Sequence, residues 1–172
     1  SHSRITAGDS IGIIAAADSD IYIIAGGLAA AGANAAGASI NTAILKNDIQ
    51  AHAGTWTELM TTATPAVQTS SNGIRIPNRN ERRRGIIIFA NGNEDVVMVS
   101  VSAGAGGSNA ITGVINTLVV RNTVKATSRE HVTISVKKAA GSSTNDTDPL
   151  PGVYIEAHDD TELLNLAGAL SA

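Results

Sequence analysis

No cysteine occurs anywhere in the 172 residues, which excludes a disulfide framework, a thiolate zinc site and a cysteine nucleophile. Aromatic residues are almost as scarce, with Trp56, Tyr22, Tyr154 and Phe89 the whole set. A core made from the remainder, chiefly Ala, Gly, Ile, Val, Thr, Ser and Asn, has to be thin and closely stacked. No apolar run approaches the ~20 residues that span a bilayer as a helix, and the first residues do not read as a signal peptide. A net charge of −3 gives no bulk attraction to nucleic acid or to a membrane surface.

What the chain has instead is repetition. Ile40-Asn41-Thr42-Ala43-Ile44-Leu45-Lys46-Asn47-Asp48-Ile49-Gln50-Ala51 returns as Ile115-Asn116-Thr117-Leu118-Val119-Val120-Arg121-Asn122-Thr123-Val124-Lys125-Ala126, a shift of 116 − 41 = 75. The same shift carries Ile11, Ile13, Ala15 and Asp20 onto Ile86, Ile88, Ala90 and Asp95. A third, partial copy follows, with Val153, Ile155, Ala157, Leu163 and Ala167-Gly168-Ala169-Leu170. Repeat units are therefore assigned to 10–84, 85–151 and 152–172, within a single body 4–172 cut from a longer array. Ser1-His2-Ser3 looks like the remnant of an expression tag. Self-similarity of this kind means modules that stack on their neighbours.

Within a unit the pattern is that of short strands and turns. Ile11, Ile13 and Ala15 alternate as in a half-buried strand, and Asp18-Ser19-Asp20 predicts a turn after them. Ile21, Ile23, Ala25, Gly27 and Ala29 then share a face, matched by Val96, Met98, Ser100, Ser102 and Gly104. Residues 27–38 alone could be an Ala-rich helix. Their counterpart in the second copy is rich in Gly, Ser and β-branched residues, so extended backbone with close approaches is expected in both. Ala38, Ile40, Thr42 and Ile44 make the next inward face, and the change of phase before Ile49 predicts a corner at Lys46-Asn47. The second unit is shorter by 75 − 67 = 8 residues, and the extra residues are placed at Gly54–Thr61, around Trp56. Strands are expected again at Val67–Thr69 and at Val132, Ile134 and Val136, and each unit closes on a polar loop, Ser71–Arg84 or Ala139–Pro151. With no amphipathic helix and no βαβ pattern, the expected fold is all-β, a parallel β-solenoid whose like strands stack ~4.8 Å apart. Asn41 then falls in register with Asn116, and two or three coils per unit are the options.

The order Ile13-x-Ala15, Asp20-Ile21, Ile24-Ala25-Gly26-Gly27-Leu28-Ala29, Gly37-Ala38-Ser39-Ile40, Asn47 and Ile49-x-Ala51 resembles the passenger repeats of large bacterial type V secreted adhesins. These are the filamentous-haemagglutinin-like and fusobacterial leukotoxin-type filamentous adhesins. The resemblance covers nearly the whole chain. It implies a right-handed parallel β-helix, export through an outer-membrane transporter, display at the bacterial cell surface or outside the cell, and a structural, non-enzymatic role in attachment to host glycans or proteins. The second copy departs from the pattern where Val101-Ser102-Ala103 replaces Gly26-Gly27-Leu28. Asn165 stands where Ile23 and Met98 point inward, so it is either hydrogen-bonded inside or marks a phase change.

Chemistry-bearing residues are few. Arg75, Arg79, Arg82, Arg83 and Arg84 lie within the loop 75–84, five of the twelve Lys and Arg residues. Guanidinium groups bind sulfate, phosphate and carboxylate in bidentate fashion, so this loop is a candidate for acidic host glycans, or else a solvated loop whose charges block strand association. Trp56 is a candidate stacking platform for sugars, or a cover over apolar surface. His158-Asp159-Asp160 with Glu162 has metal-like residue types but reads equally as a polar turn. Gly26-Gly27 and 104–107 lack the spacing of a calcium nonapeptide and the helix of a phosphate loop. A glycan hydrolase would need two carboxylates facing one cleft, yet the acids sit mostly at expected turns. No cofactor or metal is expected, a carbohydrate-active enzyme is the weaker alternative, and strand edges exposed at the ends invite self-association.

Overall fold

Alternating small and β-branched side chains favour extended backbone. The computed structural model describes residues 2–63, 73–138 and 151–172, and every regular element among them is a strand. In chain order these are β1 (Ser3–Ala7), β2 (Ile11–Ala31), β3 (Asn34–Ala53), β4 (Thr57–Ala63), β5 (Ile74–Arg75), β6 (Arg82–Arg83), β7 (Gly85–Gly106), β8 (Asn109–Ser128), β9 (Thr133–Lys138) and β10 (Gly152–Ser171). They form sheets in the orders β1-β4-β9, β10-β7-β2 and β3-β8, and β5 and β6 make a small antiparallel pair. The fold is all-β with long parallel strands.

Register follows the repeat. Glu58 pairs with Thr133 and Ala63 with Lys138, both offsets of 75, in the parallel pairing of β4 with β9. Side-chain bonds carry the same offset from Asp18 to Asn93 and from Asn34 to Asn109. From the second copy to the third the offset is 67, as Gly85 and Gly152 meet so closely that a Cβ on Gly85 would collide with the Gly152 backbone. Gly85 also has φ = +102°, a conformation that any side chain would strain. Successive copies are thus adjacent strands with nothing between them. That removes the options of two or three coils per unit.

Several expectations are corrected. The strands are not short: β2, β3, β7, β8 and β10 run for 20–22 residues, against a usual roughly 5–6. No turn forms at Asp18-Ser19-Asp20, where alternation continues through β2 with odd-numbered residues inward. Ile11 and Ile21 are both odd, so no change of phase was needed. Nor is there a corner at Lys46-Asn47, because β3 continues through it. The inward face of β3 is the small and polar one, with Ala35, Ser39, Asn41 and Ala43 buried, whereas Ile40 and Ile44 are 69% and 66% exposed. Trp56 lies in no insertion, because the 75-residue offset persists as far as Ala63. Twenty-one residues separate Ala63 from Gly85 and thirteen separate Lys138 from Gly152 (85 − 63 − 1 = 21; 152 − 138 − 1 = 13), which places the extra eight there. The strand expected at Val67–Thr69 and most of the loop 139–151 lie outside the described residues. Extended backbone over 27–38 is borne out, with a bend at Gly32-Ala33 between β2 and β3. A Cβ on Gly27 would lie 2.5 Å from the Ala38 carbonyl oxygen, the close approach that only glycine permits.

Two compact units are distinguished. The first comprises 1–17, 48–92 and 123–159. Its core is aliphatic: Ile11, Ile49, Ala51, Ala53, Leu59, Ile86, Ile88 and Ala90 are buried together, with Ile13, Val124, Val132, Ile134 and Val136 packed on them. A second cluster lies on the opposite face of β7, where Ile87 and Phe89 are covered by Ile76 of the β5–β6 hairpin, with Ile74 and Tyr154 packed alongside. Burying one such aliphatic side chain contributes about 1.5–3 kcal/mol.

The second unit comprises 18–47, 93–122 and 160–172. Its buried side chains are mostly small or polar: Ala35, Ser39, Asn41, Ala43, Glu94, Val96, Met98, Ser100 and Ser102. Its outward faces carry Tyr22, Ile24, Leu28, Ile40, Ile44, Ile111 and Ile115, all more than half exposed.

Candidate functional site

The arginines of the loop 75–84 do not project as a free cationic patch. The loop folds onto β7 through the buried Ile76, with Ile76 N–H donating to Glu81 O and Arg79 N–H to Ile76 O. Arg79 and Arg83 converge on the carboxylates of Glu81 and Glu156, with Arg79 at 3.3 and 3.5 Å and Arg83 at 3.1 Å from Glu81 and in direct contact with Glu156. Arg83 also lies 4.7 Å above the Tyr154 ring, and Arg79 5.8 Å from the Phe89 ring. Burial pulls the Arg83 guanidinium toward its neutral form, but the hydrogen bond and charge of Glu156, aided by Glu81, outweigh it and leave the pKa raised. A raised pKa means that this stabilisation is complete below the ordinary arginine value and is lost only as pH rises above it.

Arg84 stands apart. Its Nε and Nη2 both donate to Asp9 Oδ1, at 3.0 and 2.7 Å, across an offset of 75. Arg75 and Arg82 face each other across the β5–β6 pair on exposed positions, and Arg82 donates to Gly73 O at 2.9 Å. Among the described residues, Arg79, Arg83 and Arg84 are therefore held by the chain's own carboxylates. Chemically they tie the end of the first copy to the third, through Glu156, and to the residue that precedes the first copy, Asp9.

Trp56 is with none of these arginines. It sits before β4 at φ = +61°, and His131, 75 residues later, repeats the conformation at +55°. Their rings stack at 3.9 Å and 10°, and His2 meets Trp56 edge-on at 5.1 Å. Left-handed backbone at a non-glycine residue costs on the order of 1–2 kcal/mol, which the ring stack helps to offset. One indole face is covered by His131 and the other is approached by His2. An open cavity of about 390 Å³ runs beside this column, lined by Arg4, Glu58 and Thr133. Among the described residues, no group of three or more His, Asp or Glu is placed to hold a metal ion. Asp160 and Glu162 lie within β10 rather than in a turn.

The second unit holds polar assemblies that no sequence motif marks. Glu94 is fully buried. Its Oε1 accepts from Asn47 Nδ2 at 2.8 Å, and its Oε2 accepts from Asn122 Nδ2 at 2.5 Å and from Thr161 Oγ1 at 3.2 Å. A carboxylate here joins strands of all three copies. A second series climbs the same way: Asn41 Nδ2 donates to Ser100 Oγ, Ser100 Oγ to Asn116 Oδ1, and Asn116 Nδ2 to Asn165 Oδ1 at 2.7 Å. Asn165 is thus hydrogen-bonded as expected, but at an exposed position of β10 rather than inside. The signal for Glu94 was present in the sequence, since it lies two residues before Val96 on the face that carries Met98 and Ser100.

Compared with protein-family models, with characterised proteins and with solved structures, the chain matches none.

Proposed function

We propose that the chain is a segment of a right-handed parallel β-solenoid that serves as a stiff shaft in a bacterial surface or secreted adhesin, exported through an outer-membrane transporter. One repeat unit closes one coil in this reading. The shaft holds host-binding regions of glycan or protein specificity away from the cell and carries no catalysis itself. The observation that supports it most is the constancy of the 75-residue offset, which recurs in backbone pairing at Glu58–Thr133, in side-chain bonds at Asp18–Asn93 and Asn34–Asn109, and in the ring stack Trp56–His131. A chain selected to stack in register has that signature.

The pairing of Arg79, Arg83 and Arg84 with internal carboxylates also favours a mechanical role for the loop over recognition of acidic glycans. Small-angle scattering on chains with added copies of 10–84 tests the shaft, because each added unit should lengthen the particle by about 4.8 Å. A particle that instead grows equally in all directions would overturn it. Heparin binding across a salt series tests the loop. Salt-sensitive binding abolished by Arg75→Glu with Arg82→Glu, changes that leave the three carboxylate-held arginines in place, would replace the shaft with a recognition module.

A further inference from the structure

We propose that copies of this chain associate side by side through the second unit, the outer face of β2-β7-β10 in one copy packing on the outer face of β3-β8 in the next. In the first unit the outer face of β7 is covered from within the chain, where Ile76 lies on Ile87 and Phe89. In the second unit no described segment does this for either sheet. Tyr22, Ile24 and Leu28 on one side, and Ile40, Ile44 and Ile115 on the other, are all more than half exposed. Strands added at either edge of these sheets would extend the two faces without covering them. Contiguous apolar faces rimmed by polar residues mark association surfaces, and sheets pack face to face about 10 Å apart.

Charge says which occupant fits. Each apolar face ends on a charged row. Asp20, Asp95 and Glu162 stand side by side at outward positions of β2, β7 and β10, related by offsets of 75 and 67. Lys46 and Arg121 stand side by side at outward positions of β3 and β8. None of the five has an ion-pair partner among the described residues, and carboxylates stacked ~4.8 Å apart repel one another. Inside the unit Glu94 accepts from Asn47 and Asn122. Asp95, Lys46 and Arg121 are their neighbours in sequence, so the acidic and basic rows lie at the same level on opposite faces. A copy displaced sideways at that level brings its basic row to the acidic row of the next. The same displacement sets Gly26 opposite Ile40 and Leu28 opposite Ala38, small against large. Pairing a face with its own kind at the same level would instead set like charges together. The two faces differ, so the contact does not close and builds an open row of copies. The inference stands on these faces alone and holds whether or not the chain serves as a shaft.

Sedimentation velocity on the whole chain tests this. The average mass should grow with concentration past that of a dimer and fall as salt is added. Lys46→Glu with Arg121→Glu leaves an acidic row on both faces, and Asp20→Lys with Asp95→Lys and Glu162→Lys leaves a basic row on both. Each variant alone should associate roughly tenfold more weakly than the parent, or weaker still. Mixed, the two should associate again, because each keeps the row that the other needs, and that recovery also shows both to be folded. The salt series on the parent needs no variant and stays decisive if either variant fails to fold. A parent that stays monomeric, stops at a closed dimer, or associates without regard to salt would overturn the proposal. So would association that both reversals leave unchanged, as expected of contacts through strand edges, or folded variants that stay apart when mixed. The shaft reading fails separately, on how the particle grows with added copies.

Discussion

Both units keep the repeat offset of 75, yet their interiors follow different chemistry. In the first, Ile11, Leu59, Ile86 and Ile88 make an aliphatic core, so stability scales with apolar area removed from water. In the second, backbones approach so closely that Gly27 admits no Cβ opposite Ala38. What fits between them is alanine, serine and asparagine, with Glu94, Val96 and Met98 the larger exceptions. Such a layer buries little apolar area per residue, and its specificity comes from hydrogen bonds that are costly to leave unmade. A parallel stack can therefore be held either by volume or by polar ladders. The first tolerates exchange among aliphatic residues, while the second depends on the bonds made by Glu94 and by the Asn41–Ser100–Asn116 series.

Cutting volume from the first unit should have the largest effect. Leu59→Ala removes a fully buried side chain from the middle of the core and should lower unfolding free energy by about 2–5 kcal/mol, read from urea denaturation. In the second unit the matching damage comes from a change of almost no volume. Glu94→Gln replaces a carboxylate that accepts from Asn47, Asn122 and Thr161 by a group with one acceptor and a donor facing donors, at a cost of about 1–3 kcal/mol. A Glu94→Gln chain as stable as the parent would remove the distinction between the interiors. Smaller again is Ser100→Ala, which interrupts the series between Asn41 and Asn116 and should cost about 1–2 kcal/mol. Hydrogen exchange should locate the loosening in residues 34–47 and 109–122 rather than at Leu59.

The contrast also explains what could be read from the sequence. Strand character, the 75-residue stacking and the inner face of β7 were legible, because repetition and alternation survive whatever the core is made of. The inner face of β3 was not. Hydrophobic alternation assigns Ile40 and Ile44 inward, a rule that presumes an aliphatic interior, whereas the narrow interior of the second unit selects Ser39 and Asn41. The presumed turn at Asp18-Ser19-Asp20 failed for the same reason: Ser19 and Glu94 occupy equivalent inward positions in a polar layer, so a polar residue there marks no break. Among the candidate site residues, the clustering of arginines was plain but their engagement was not. Asp9 and Glu156 lie 75 and 73 residues from Arg84 and Arg83, and only the folded stack brings them together.

The smallest expected effect is the one that separates the two readings of β3. If the isoleucine face were inside, Ile40→Thr and Ile115→Thr would each bury a hydroxyl in place of a methyl-bearing branch and cost more than about 1 kcal/mol. Both side chains are instead more than half exposed, and threonine keeps the β-branched shape that suits a strand. Each change should therefore shift unfolding free energy by no more than about 0.5 kcal/mol. Asn41→Ile, one residue away on the opposite face, loses the bond to Ser100 and adds bulk where neighbouring strands leave little room, so it should cost about 1–3 kcal/mol. Measured side by side by chemical denaturation, an apolar-to-polar change that does nothing and a polar-to-apolar change that destabilises would invert the usual rule for a core. The opposite ranking would return the isoleucines to the inside and the hydrogen-bonded series to solvent.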